Sequence, residues 1–165
     1  MALAVTHIIG TILILDLFRH YVFGKKAFPR YLLVVGGVAG ILPDIDIIIG
    51  KLVSWMSGTT VNLHGVFSHS LFIPVLFVGI GFFLQYNENM DTAKWYYVIA
   101  AGWFLHIILD CGFNAYSTFL WPLHIDTMRF CPSKLAGIYR SGIDAILLVV
   151  WLVHEEVHNK IKEYF

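Results

Sequence analysis

The stretch YLLVVGGVAGILPDIDIIIG, residues 31–50, decides how the rest of the chain is read. It is long enough to cross the hydrocarbon core of a bilayer, for which a helix needs about 20 residues. Only Asp44 and Asp46 in it are acidic or basic, and Pro43 stands directly before them. Alone, the Pro-Asp pair fits a helix cap or a turn as well as a functional site. An ionisable group inside a membrane segment is expensive, however, and usually faces a partner, a cavity or a metal. The rest of the chain decides between these readings.

Outside that stretch the composition is equally apolar. Of 165 residues, 58% are hydrophobic and 13% are Asp, Glu, Lys or Arg, against about a quarter charged in a soluble domain. A domain of this size has too much surface to hide so many apolar side chains from water, so lipid is the expected solvent. Five apolar stretches can be read, at residues 3–18, 31–49, 66–84, 95–113 and 143–158. Helices are expected, because backbone polar groups in lipid must be satisfied within the segment. The fold class is therefore all-α: an integral membrane bundle of about five helices, some short or re-entrant, in one domain over residues 1–165. Trp55, Trp95, Trp103 and Trp121 near span ends fit an aromatic belt. With zero formal net charge and no basic stripe, no nucleic-acid partner is expected. Cys111 and Cys131 form no CxxC spacing, and a disulfide between them stays open. The N-terminal apolar run lacks a basic leader and is interrupted by His7, which argues against a cleaved signal peptide.

Alternation of five spans puts Arg19, Lys25, Lys26, Arg30, Lys94, Lys160 and Lys162 on one side of the membrane. Lys51, Arg129, Lys134 and Arg140 fall on the other. The positive-inside rule then places that second side, with the N-terminus and loops two and four, outside the cytoplasm. His7, Asp44, Asp46, His64, His69, His106, Asp110 and Asp144 all map to this same side. Singly, each has a bland reading: His106 and Asp110, four apart on one helix face, need be no more than a hydrogen-bonded pair. Four imidazoles and several carboxylates at one depth point instead to a metal site. The expected ligands are His7, Asp44, Asp46, His64, His69, His106 and Asp110. Mixed imidazole and carboxylate donors suit zinc, with manganese or iron as the other divalent candidates. So many donors exceed the needs of one ion, so two or more are expected, an arrangement suited to phosphoester cleavage. Asp44, Asp46 and Asp144 are the candidates for general base, and Arg140 and Ser70 for holding an anionic substrate. Ser68 and Ser70 have no partnered Ser–His–Asp order that would make either a nucleophile.

At these residues the chain resembles the YdjM-like inner-membrane proteins. The resemblance rests on Thr6-His7, Gly40-Ile41-Leu42-Pro43-Asp44-Ile45-Asp46, His64-Gly65-Val66-Phe67-Ser68-His69-Ser70, His106-Ile107-Ile108-Leu109-Asp110, Leu120-Trp121-Pro122 and Tyr139-Arg140-Ser141-Gly142-Ile143-Asp144. It covers nearly the whole chain; Gly65 stands where the family has an arginine. The resemblance implies a metal-dependent hydrolase. The order of His and Asp elements is also similar, at the level of pattern, to zinc-dependent phospholipase C. That likeness implies a phospholipid or other membrane-associated phosphoester as substrate.

Three alternatives compete. His154-Glu155-Glu156-Val157-His158 matches HExxH, the zinc-protease helix signature. It lies at the other end of the fifth span, with no evident third ligand beyond Glu163, and reads more simply as a polar helix end facing headgroups. A metal or proton transporter would use the same residue types but spread them in depth. A structural membrane protein would pair its histidines and aspartates with each other and bind no metal.

Overall fold

A computed structural model describes residues 4–65, 67–113, 119–123, 131 and 139–159, the side chains of 139–141 and 159 excepted. The regular elements among the described residues are all helical, with no strand among them. In chain order the helices are α1 (Ala4–Phe18), α2 (Tyr31–Ala39), α3 (Ile45–Ser57), α4 (Phe72–Tyr86), α5 (Met90–Phe113) and α6 (Tyr139–Asn159). A π-helical turn, Arg19–Phe23, extends α1, and a 3₁₀ turn, Leu42–Asp44, joins α2 to α3. The second apolar stretch is thus one helical segment broken in its middle, so five helical segments stand among the described residues.

The break follows from local chemistry. Pro43 has no N–H to give the helical ladder, and the Asp44 N–H donates to the Ile41 carbonyl at 3.1 Å, a tightened turn. The Gly40 carbonyl, whose helical partner would be the Asp44 N–H, is thereby released from the ladder.

Among the described residues three segments are long and apolar enough to cross a membrane: Ala4–Phe23, Tyr31–Ser57 and Met90–Phe113. At 15 residues α4 is shorter. Apolar side chains such as Ile48, Trp55, Val75, Phe83 and Val149 are exposed on the outside of the bundle, as lipid-facing surfaces require.

Helix α5 is central and packs against α1, α2 and α4. Small residues let the backbones meet, as is common between membrane helices. A Cβ added at Gly102 would lie 2.6 Å from the Gly36 carbonyl oxygen and 2.8 Å from the Ala39 Cβ. One at Gly81 would lie 2.7 Å from the Tyr97 ring. Below this contact Leu15, Phe28, Leu32, Leu33 and Val98 form an apolar core. Helix α6 packs against α1 alone among the described helices.

Three features differ from the sequence reading. The third stretch is not helical from its start: α4 begins at Phe72, whose N–H donates to Ser70 Oγ at 3.2 Å. Residues 64–65 and 67–71 thus approach the bundle largely as turns. Arg19 is not a loop cation; it is buried and paired with Asp16 at 3.0 Å. Trp103 is not only a belt residue, since its indole N–H donates to the Ser68 carbonyl at 2.7 Å.

Candidate metal centre

The broken span, the turns before α4, and one face of α5 converge at one end of the bundle. At 1.5 Å per residue, His106 and Asp110 lie about 24 and 30 Å along α5 from Met90. That is the far edge of a hydrocarbon core about 30 Å thick. His7, Asp46, His69, His106 and Asp110 are essentially fully buried, whereas Asp44 and His64 each keep 17% side-chain exposure. The last two mark the side from which the centre is reached.

Four atoms form the tightest group. His69 Nε2 and His106 Nε2 are 3.2 Å apart. Asp44 Oδ1 lies 3.9 Å from the first and 3.7 Å from the second. Asp110 Oδ2 lies 3.6 and 3.8 Å from the same two nitrogens. Asp44 Oδ1 is buried without a hydrogen-bond partner among the described residues. Each of these carboxylate oxygens thus lies within 4 Å of both imidazole nitrogens, a spacing that a shared divalent cation at about 2.0–2.2 Å from each donor can bridge. The donor set therefore fits a divalent cation.

The remaining contacts orient those donors. His106 Nδ1 must carry its proton, because at 2.7 Å it donates to the Gly40 carbonyl, leaving the Nε2 lone pair aimed inward. Ser68 donates to Asp46 Oδ2, so the 2.9 Å contact between Ser68 Oγ and His69 Nδ1 has the imidazole as donor. Again Nε2 faces the centre. Asp46 also takes the Gly65 N–H at 3.2 Å and His64 Nδ1 at 2.9 Å. A carboxylate or carbonyl behind each imidazole is the usual support of metal-binding histidines.

Asp110 looks two ways. Its other oxygen, Oδ1, lies 3.2 Å from His7 Nε2. The His7 ring stacks on His106 at 3.9 Å, and neither His7 nitrogen has a hydrogen-bond partner among the described residues. His7, His106 and Asp110 form one grouping able to hold an ion, and Asp44, His64, His69 and Asp110 another. Asp110 belongs to both groupings.

His69 sits in the turn before α4, outside the spanning helices. Burial pulls its pKa down, but hydrogen bonds to Asp110 and Asp46 outweigh that and raise it to about 9. The carboxylates thus draw positive charge to the point where a cation would sit.

The other expected residues fall as follows. Asp144 accepts a hydrogen bond from Thr6, next to His7. Ser70 is buried and donates to the Trp121 carbonyl at 2.6 Å, tying the approach turn to residues 119–123. The Arg140 side chain and Glu163 lie outside the described residues. Cys111, one residue past Asp110, forms a disulfide with Cys131. An apolar cavity of about 640 Å³ between α1, α2 and α5 contains none of the His/Asp residues.

Sequence reasoning missed three contributors. The Gly40 carbonyl carries no side-chain signal, though the glycine before Pro43 marks a chain about to leave its helix. Trp103 lies one turn before His106 on α5, which is its only hint. The third is a separate group at the other end of α1: His154 does not face headgroups but turns inward, with Nδ1 3.2 Å from Asp16 Oδ2.

The model of the family described as YdjM inner membrane protein matches residues 1–160, and the chain belongs to that family. No curated protein and no solved structure matches it.

Proposed function

We propose that this YdjM-family membrane protein is a metal-dependent hydrolase that cleaves a phosphoester of a phospholipid or another membrane-associated anionic substrate. The observation that carries the reading is the set of four atoms from Asp44, His69, His106 and Asp110. The two imidazole Nε2 atoms are 3.2 Å apart, both carboxylates lie 3.6–3.9 Å from each of them, and Asp44 Oδ1 has no hydrogen-bond partner among the described residues. Zinc suits the donors best, with manganese or iron as alternatives. His7 and Asp110 extend the centre toward a second ion.

A divalent ion held there supplies Lewis-acid activation of water at neutral pH and clamps phosphoryl oxygens. The chain's own residues do the rest. Asp46 fixes His64 and His69 through the contacts described above, so the partly exposed His64 imidazole is held at the open side of the centre as the proton-transfer group. Asp44, equally exposed, presents its charge to the same opening. Asp144 steadies the start of α1 through Thr6 rather than reaching the centre itself. Ser70 positions the His64–His69 turn instead of binding substrate. Arg140 is assigned to the substrate's anionic group.

The centre faces the non-cytoplasmic side in this reading. Two observations support it: the bias of Lys and Arg across the loops, and the Cys111–Cys131 disulfide at the same end of α5, since disulfides persist in oxidising compartments.

Transport is the second reading, favoured by the separate His/Asp group at the far end of α1. Against it, the apolar core of Leu15, Leu32, Leu33 and Val98 lies beside the α1 segment that joins the two groups. The deciding experiment measures phosphodiester hydrolysis of defined phospholipid vesicles by the metal-loaded protein, beside His106→Ala. Metal-dependent release of a phosphorylated headgroup, lost in the variant, supports the hydrolase. A metal-loaded protein that leaves every phosphoester intact, yet carries zinc or protons across proteoliposomes, overturns it.

A further inference from the structure

The helix α6 sequence HEEVH reads as a metal motif without a third ligand, and the fold supplies one from α1. His154 and His158 lie four apart, on one face of α6, with their rings stacked at 4.3 Å. Facing them is the C-terminal end of α1. Asp16 is fully buried there, and His20 follows four residues later in the π-helical turn.

The contacts leave an unusual set of atoms without partners. His20 Nδ1 donates to the Asp16 carbonyl at 2.9 Å, so its Nε2 bears a lone pair; that atom is buried and unpartnered among the described residues. His158 Nδ1 likewise donates to the His154 carbonyl at 3.1 Å, which leaves its Nε2 as a lone pair. Arg19 takes Asp16 Oδ1 at 3.0 Å. Asp16 Oδ2 has no hydrogen-bond partner among the described residues, although His154 Nδ1 is 3.2 Å away, and neither His154 nitrogen has one either. Buried polar atoms are rarely left so. Asp16, His20 and His154 each offer a ligand atom within 4.8 Å of the others, and the His158 ring stands edge-on to His20 at 4.6 Å.

We infer that Asp16, His20 and His154, with His158 beside them, form a second metal site that binds a divalent transition-metal ion. Three imidazoles and one carboxylate select zinc, cobalt, nickel or copper over magnesium or calcium. The site is separate from the centre at His7, which lies nine residues, about 13 Å, back along α1. Its role is a clip. Helix α6 packs on α1 alone among the described helices, and Thr6–Asp144 already joins the two at the other end. The metal closes the free end. Glu155 and Glu156 are not required as bases, and no peptide hydrolysis is implied.

The test counts cobalt in detergent-purified full-length protein, by elemental analysis and by the visible bands of bound cobalt. The double variant H20A/H154A is expected to bind one equivalent fewer than the unsubstituted protein. In an H69A/H106A background one tight equivalent should remain and raise the melting temperature, and both effects should vanish when H20A/H154A is added. That background isolates the clip, so failure of the hydrolase centre leaves its count intact. An unchanged cobalt count in H20A/H154A overturns the proposal. If that variant does not fold, H154Q, which keeps side-chain volume and polarity, replaces it: one equivalent fewer supports the site, and an unchanged count overturns it.

Discussion

Replacing Asp44 and Asp46 separately by asparagine should give two different kinds of metal loss. The two carboxylates stand two residues apart, but their surroundings are opposite. Asp44 Oδ1 has no hydrogen-bond partner among the described residues and lies 3.7–3.9 Å from three histidine nitrogens. Asp46 is saturated: His64 Nδ1 on one oxygen, Ser68 and the Gly65 N–H on the other. In D46N the amide oxygen can still accept from His64, but the amide nitrogen meets two donors. One of these donors is then left unsatisfied, costing about 1–3 kcal/mol of stability. Loss of such a support typically weakens metal binding by about 10–100-fold, or about 1.4–2.7 kcal/mol. D46N should therefore still fill at saturating zinc. D44N removes a charge from the inner set, so its loss should exceed that range and the stoichiometry should fall at any practical concentration. Competition with a chromophoric chelator, on protein in mild detergent, reads both quantities. D46N stripped of metal as completely as D44N, or D44N binding zinc like the unsubstituted protein, would refute the division of labour.

Other consequences can be checked alongside. Gly102→Ala puts a Cβ against the Gly36 carbonyl, so α2 and α5 must separate; a stability loss of about 1–3 kcal/mol is expected by thermal denaturation. Metal affinity should fall with it, as His106 is drawn from Gly40. Because the metal-free His69 keeps its proton up to about pH 9, a cation that takes Nε2 must displace it. Apparent affinity should thus rise by about tenfold per pH unit between 7 and 9, with proton release measurable in weakly buffered titrations; a flat profile would contradict the assignment. Cys131→Ser opens a disulfide with a sequence separation of 20, worth about 3 kcal/mol by loop closure. In the unsubstituted protein, maleimide should label the cysteines only after reduction.

How far the site could be read in advance depended on the kind of signal. His106 and Asp110 were legible because four-residue spacing fixes a shared helix face whatever the tertiary structure. Asp44 and Asp46 were legible as a pair, since carboxylates in an apolar span demand a reason. Their different roles were not, because the 3₁₀ turn resets the direction in which each side chain points. The start of α4 was misplaced for a related reason. The stretch from residue 66 runs straight into the apolar run of α4 and shows no Gly or Pro break before it, and only the Ser70 and Trp103 hydrogen bonds show what holds residues 67–71 outside the helix. The group around His154 was furthest from view. Its partners Asp16 and His20 are more than 130 residues away in sequence, and nothing local to HEEVH announces them.

The freed carbonyl of Gly40 gives His106 an anchor with no ionisation of its own. A carboxylate behind an imidazole lets go when it is protonated, and a single base change can remove it. A main-chain oxygen does neither. The His106 tautomer therefore rests on an acceptor that no titration removes. The sequence dependence of that anchor lies in the 3₁₀ turn that holds Pro43: the Asp44 N–H turns to the Ile41 carbonyl and leaves the Gly40 oxygen available.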